Sequence, residues 1–114
     1  MPLTLPELPQ PSPHEPGPYC VIAWHRALPG VADAYEQRML ADIELTRSEP
    51  GCLAFHIHRD RAEPNLFVIY EVWRDVAALR EHFQTTYVRQ FVADSADYLE
   101  GDMSVQWLVM KSVF

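Results

Sequence analysis

The sequence predicts an α+β domain: one four-stranded antiparallel sheet with helices on a single face, in the chain order β-α-β-β-α-β. Three observations predict it. The hydrophobic period changes from strand-like to helical between Tyr19–Arg26 and the stretch from Val31 to about Ser48. The runs "CLAFHIHRD" and "NLFVIYEVW" flank the turn "RAEPN", which is a hairpin pattern. A second helical stretch and a last apolar run, "MSVQWLVM", then repeat the β-α-β unit.

"YCVIAWHR", Tyr19 to Arg26, reads as the first strand, and Pro29 and Gly30 punctuate the turn after it. Val31, Tyr35, Met39 and Ile43 then recur every fourth residue, the buried stripe of one amphipathic helix. Pro50 and Gly51 end it. In the second strand, Cys52 to Asp60, Leu53, Phe55 and Ile57 fall on one side, and Ala54, His56 and His58 on the other. The third strand follows the turn. Asp75 is positioned to cap a short helix with Val76, Leu79 and Phe83 on its stripe. Thr85 or Thr86 caps another, which carries Tyr87, Val88, Phe91 and Val92 and closes at Gly101. The fourth strand is Met103 to Met110. This is the ferredoxin-like split βαβ order, with the second helix in two pieces and the first and third strands central.

The third strand does not alternate. Phe67, Ile69 and Trp73 fall on one side, and Leu66, Val68, Tyr70 and Val72 on the other. A strand with one wet face alternates apolar with polar, so this one requires cover on both faces. The helices cover one. A second copy of the chain, sheet against sheet, is the expected cover of the other, giving a homodimer. At ~25 cal/mol per Å², hiding several hundred Å² of apolar surface contributes on the order of 10 kcal/mol before association costs.

A chain of 114 residues is one domain, here 19–114. Residues 1–18 hold seven of the ten prolines and read as an extended tail, either draped over a partner subunit or disordered. The net charge is −7, with nine scattered Lys and Arg, so neither nucleic acid nor an anionic membrane is an expected partner. No apolar run reaches the ~20 residues that span a bilayer. The N-terminus lacks a secretion-signal layout, so a cytoplasmic protein with reduced Cys20 and Cys52 is expected.

"EPGCLAF" after a long helix, followed by "PNLFVIYEVWRDVAALREHFQTTYVRQF", resembles the antibiotic biosynthesis monooxygenase family. The residues that carry the resemblance are Glu49, Pro50, Gly51, Cys52, Leu53, Asn65, Phe67, Glu71, Trp73, His82, Thr85 and Phe91. Tyr87 departs from the pattern, which often has His there. The resemblance covers Tyr19 to about Val109. It implies a dimeric α/β barrel with a small pocket between helices and sheet in each subunit. It also implies a monooxygenase that oxidises a small phenolic or quinol substrate with O2 and no cofactor. Other members of the superfamily bind and degrade haem, and many have no known activity.

Such oxygenation needs a base and a dry aromatic pocket, because the deprotonated substrate supplies the electron. His82, at the edge of the Val76/Leu79/Phe83 stripe, is the candidate base; the structural alternative is a histidine satisfying a helix C-terminus. Glu71 is the second candidate, either orienting a histidine or pairing with Arg59 or Arg26. Trp24, Phe67, Trp73, Phe83 and Phe91 are the candidate substrate-binding aromatics, against ordinary core packing. His56, His58 and His25 make a weak metal pattern that no Cys, Asp or Glu completes, so no metal is expected. Two other functions remain open: haem binding with His82 as axial ligand, and a non-catalytic small-molecule-binding module.

Overall fold

The computed structural model describes residues 2–10 and 17–112. In chain order the elements are β1 (Tyr19–Arg26), α1 (Ala32–Leu40), α2 (Ile43–Arg47), β2 (Cys52–Arg59), β3 (Leu66–Trp73), α3 (Val76–Phe83), α4 (Thr86–Asp94) and β4 (Ser104–Val109). A 3-10 turn, Ser95–Asp97, follows α4. The sheet runs β2-β3-β1-β4 with every pair antiparallel, so β1 and β3 are central, and the fold is ferredoxin-like. The sheet is open: β2 and β4 are its edges.

The helix face of the sheet holds the core. Val21 pairs with Glu71 and Glu71 with Phe55; one step along, Ala23 pairs with Ile69 and Ile69 with Ile57. These residues point toward the helices, because alternate residues share a face. Tyr35 and Phe67 centre one buried cluster, and Trp73 and Leu79 the other. The opposite face carries Ile22, Trp24, Val68 and Tyr70, half-buried with no helix over them. Among the described residues, no helix is long and apolar enough to cross a membrane.

Three local features differ from the sequence expectations. The first helix is two helices, not one. The Asp42 N–H reaches the Met39 carbonyl three residues back, and the Asp42 backbone leaves the helical region (φ −104°, ψ 1°). Arg38 grips the Asp42 side chain at 2.8 Å across this turn. The second feature is a β-bulge between Cys52 and Ala54. It turns Leu53 outward, 46% exposed, and sends Cys52 to the core side against Trp73, so Leu53 does not share a side with Phe55 and Ile57.

The third is the N-terminal segment. Residues 2–10 have no regular secondary structure, as the prolines require, but they pack on the domain that follows them. Leu3 is buried (4% exposed), its N–H donates to Ser95 Oγ at 2.8 Å, and the Thr4 N–H donates to Asp102 Oδ1 at 2.8 Å. Leu5 and Leu8 pack against the two core clusters. Leucines spaced between prolines supply the apolar surface that holds this segment down. Residues 1 and 11–16 of the expected tail lie outside the described residues.

Candidate active site

Two helices deliver side chains to one carboxylate, which a third element supplies. Glu49 ends the α2 region, where its N–H bonds the Thr46 carbonyl and its own carbonyl accepts from the Cys52 N–H. Gly51 then lets α3 approach: a Cβ there would sit 2.2 Å from the Ala78 Cβ. α3 starts at Asp75, whose side chain accepts from the Ala78 N–H at 2.8 Å, and it turns Val76, Ala78, Leu79 and His82 inward. Thr85 caps α4 and also donates its hydroxyl to the His82 carbonyl at 2.8 Å, so the cap of one helix fixes the end of the other. Tyr87 lies in the first turn of α4.

His82 Nδ1 is 2.7 Å from Glu49 Oε2, and the Tyr87 hydroxyl donates to the same oxygen. Glu49 therefore favours the tautomer with the proton on Nδ1, leaving the Nε2 lone pair as acceptor. Nε2 makes no hydrogen bond to the described residues, and none of their buried side-chain N or O atoms lacks a partner. Nε2 thus faces accessible space, and His82 lines a cavity of about 100 Å³ between sheet and helices. His82 is 5% exposed, and its ring is walled by Trp73 at 4.6 Å between ring centroids, Phe83 at 5.9 Å and Phe55 at 6.1 Å.

Burial, together with the hydrogen bond to Glu49, pushes the Tyr87 phenol well above its ordinary range, so it stays a neutral donor. Glu71, on the floor of the cavity, accepts from the Trp73 indole N–H at 2.9 Å. Burial pushes its carboxyl up, opposed by His82 and by the Trp73 hydrogen bond. Burial and the nearby Glu71 and Glu49 carboxylates push the Cys52 thiol up to about 11, so it is no nucleophile at neutral pH. His25 also lines the cavity. Its Nδ1 hydrogen-bonds the Tyr35 hydroxyl, and burial lowers its pKa to about 4, so it is neutral.

The structure brings together Glu71, His82, Phe83 and Phe91, which all line this cavity. Phe67 and Trp73 share their sheet face but are fully buried behind the wall. Phe67 packs edge-on against Tyr35, and Trp73 backs His82. Trp24 does not belong to the site: in β1 it alternates with Ala23 and His25 and points to the opposite face. Glu71 pairs with neither arginine, since Arg59 binds Asp33 and Glu36 while Arg26 binds Glu63. His25 faces the cavity, whereas His56 and His58 alternate with Phe55 and Ile57 and face the other side, so the three histidines do not meet.

Sequence reasoning missed the role of Glu49, the donor Tyr87, the His25–Tyr35 pair, and Leu5 and Pro6 of the N-terminal segment. Glu49 and Tyr87 stand out in the sequence only as residues in or near a recognisable run. Their pairing with His82 spans separations that no local spacing reveals. As for haem, a cavity of about 100 Å³ does not hold a porphyrin; pockets for drug-sized ligands measure roughly 300–1,000 Å³.

Comparison with known proteins agrees with this architecture. The sll1783 protein of Synechocystis is 51% identical over 57 residues, which is 50% of this chain and 39% of that protein. The chain thus spans well under half the length of that relative. The crystal structure of PA3566 from Pseudomonas aeruginosa superposes with a TM-score of 0.80 at 33% identity, covering 87% of this chain and 99% of that one. A crystallised antibiotic biosynthesis monooxygenase superposes with a TM-score of 0.74 at 32% identity, covering 83% of this chain and 98% of its own. Residues 18–94 match the sequence model for antibiotic biosynthesis monooxygenases, and the chain belongs to that family.

Proposed function

We propose that the cavity oxidises a small phenolic or quinol compound with O2, with His82 as the base. The observation that carries this reading is the His82–Glu49 pair, with Nε2 free, at the wall of an aromatic-lined cavity. Nε2 takes the phenol proton. Glu49, 2.7 Å from Nδ1, stabilises the imidazolium that results. The phenolate passes one electron to O2, and the two radicals combine at a ring carbon as a hydroperoxide. Loss of water leaves a carbonyl. One oxygen atom enters the ring and the other leaves as water, so a hydroquinone plus O2 becomes a hydroxyquinone plus water. The substrate supplies every electron.

Glu71 and Trp73 act behind the reacting ring. Their hydrogen bond holds the indole against His82, and the largely apolar walls keep water from the radical pair. The working unit is a homodimer, in which a second copy covers the Trp24, Val68 and Tyr70 face. A cytoplasmic setting belongs to the same reading, in keeping with free thiols at Cys20 and Cys52. Aerobic and anaerobic turnover of a hydroquinone panel by chelator-treated protein tests the reaction. The expected result is O2-dependent product with at least one single-ring member. No such product with any member counts against it.

A further inference from the structure

Leu5 and Pro6 line the cavity, and they belong to a segment that precedes the family-matched residues 18–94. The shared domain alone would leave this side of the cavity without that wall. The hold on the segment is slight. Leu3 is buried with its N–H on Ser95 Oγ, Thr4 has its N–H on Asp102 Oδ1, and Leu5 and Leu8 pack against the core clusters. Among the described residues, no backbone-to-backbone hydrogen bond ties residues 2–10 to the domain. Pro2, Pro6 and Pro9 remove donors at intervals, so the segment cannot zip onto a sheet edge.

With the segment seated, the cavity is about 100 Å³. An apolar cavity of roughly 150 Å³ takes up a benzene ring. A fused-ring compound therefore does not fit beside Leu5 and Pro6, whereas a single ring needs only a small adjustment. We infer that Leu3–Leu8 forms a movable wall that sets the size of compound the cavity admits: single rings when seated, fused rings only when withdrawn. Ser95 and Asp102 are its latches. Neither residue lines the cavity, so removing them changes the wall and leaves the chemistry in place.

Benzene and naphthalene carry no oxygen and report cavity size whatever reaction the site runs. Their binding to the full chain and to the Ser95→Ala/Asp102→Ala variant can be followed by NMR shift titration. The expected result is naphthalene binding at least tenfold tighter in the variant, with benzene within about twofold. Leu3→Asp, which cannot bury its side chain, gives an independent release of the segment and the same expectation; circular dichroism checks that both variants are folded. Equal naphthalene affinity in all three proteins, undetectable binding included, overturns the inference. Absence of hydroquinone turnover would sink the proposed reaction but leave this result standing.

Discussion

At the scale of the residue, Glu49 is the hub: one carboxylate oxygen takes both His82 Nδ1–H and the Tyr87 hydroxyl. Glu49→Gln keeps the shape but removes the charge that stabilises imidazolium. We expect turnover of the hydroquinone substrate to fall about 100-fold, the scale of general-base assistance, while Tyr87→Phe falls less. Steady-state kinetics with circular dichroism of each variant checks this; unchanged turnover in Glu49→Gln removes Glu49 from the mechanism. Two of the titrating groups buried in the cavity wall, His25 and Glu71, have opposite pH signatures. Burial lowers His25 from its ordinary value near 6.5 to about 4, so the unfolded chain binds a proton first as pH falls. Stability present above pH 6.5 should therefore decline between pH 6.5 and 4, by up to about 3 kcal/mol. His25→Gln should flatten that decline in denaturation curves; an unchanged slope contradicts it. Glu71 is raised by burial. Its contribution is complete below the ordinary carboxylate pKa and is lost as pH rises through its folded value. Glu71→Gln, which keeps an acceptor for Trp73, should raise Tm at pH 7 to 8, and a lowered Tm contradicts that. His82, Glu71, Phe83 and Phe91 were legible in the sequence as candidates because each sits at a helix edge or on the dry side of a strand. Glu49 was not legible as a partner, because 33 residues separate it from His82 and only the packing of α3 closes the gap.

At the scale of the element, the turn after Glu49 decides whether the site assembles. Gly51 lies so near α3 that an added Cβ would meet Ala78 at 2.2 Å. Gly51→Ala should destabilise the domain by about 1–3 kcal/mol, the usual range for overpacking, and displace Glu49 from His82. Gly51→Ala/Ala78→Gly should recover part of the loss, since it removes the clash but weakens α3. Urea denaturation of Gly51→Ala, Ala78→Gly and the double variant checks this; additive losses would mean the clash is not the cause. The element pattern was largely legible. Apolar runs bounded by turn residues marked the strands and fourfold spacing the helices; Asp75 marked one helix start and Thr85 or Thr86 the other, and the structure places these caps at Asp75 and Thr85. The bulge at Leu53 and the break at Asp42 were not legible. A bulge depends on the partner strand's register, and the break on a backbone turn held by Arg38. The N-terminal leucines were hidden in the same way. A proline-rich run with scattered leucines has the composition of a free tail, and only the folded core shows where Leu3 goes.

At the scale of the whole molecule, the apolar second face of the sheet was legible from "NLFVIYEVW", and the structure leaves Trp24, Val68 and Tyr70 half-buried there. A homodimer built on that face predicts that Val68→Glu or Trp24→Glu separates the subunits, because a carboxylate desolvated between two sheets has no partner. Sedimentation at low micromolar concentration should show a dimer for the native chain and a 13.2 kDa particle for the variants. A native monomer contradicts it. Fold and oxygenation are separate questions, since one fold serves many chemistries. Oxygen labelling tests the central claim most directly: chelator-treated protein is incubated with a single-ring hydroquinone under ¹⁸O₂. The account predicts one ¹⁸O atom in the quinone product and the other in water, with formation depending on His82. Product formed without ¹⁸O, or at an equal rate with His82→Ala, would contradict it.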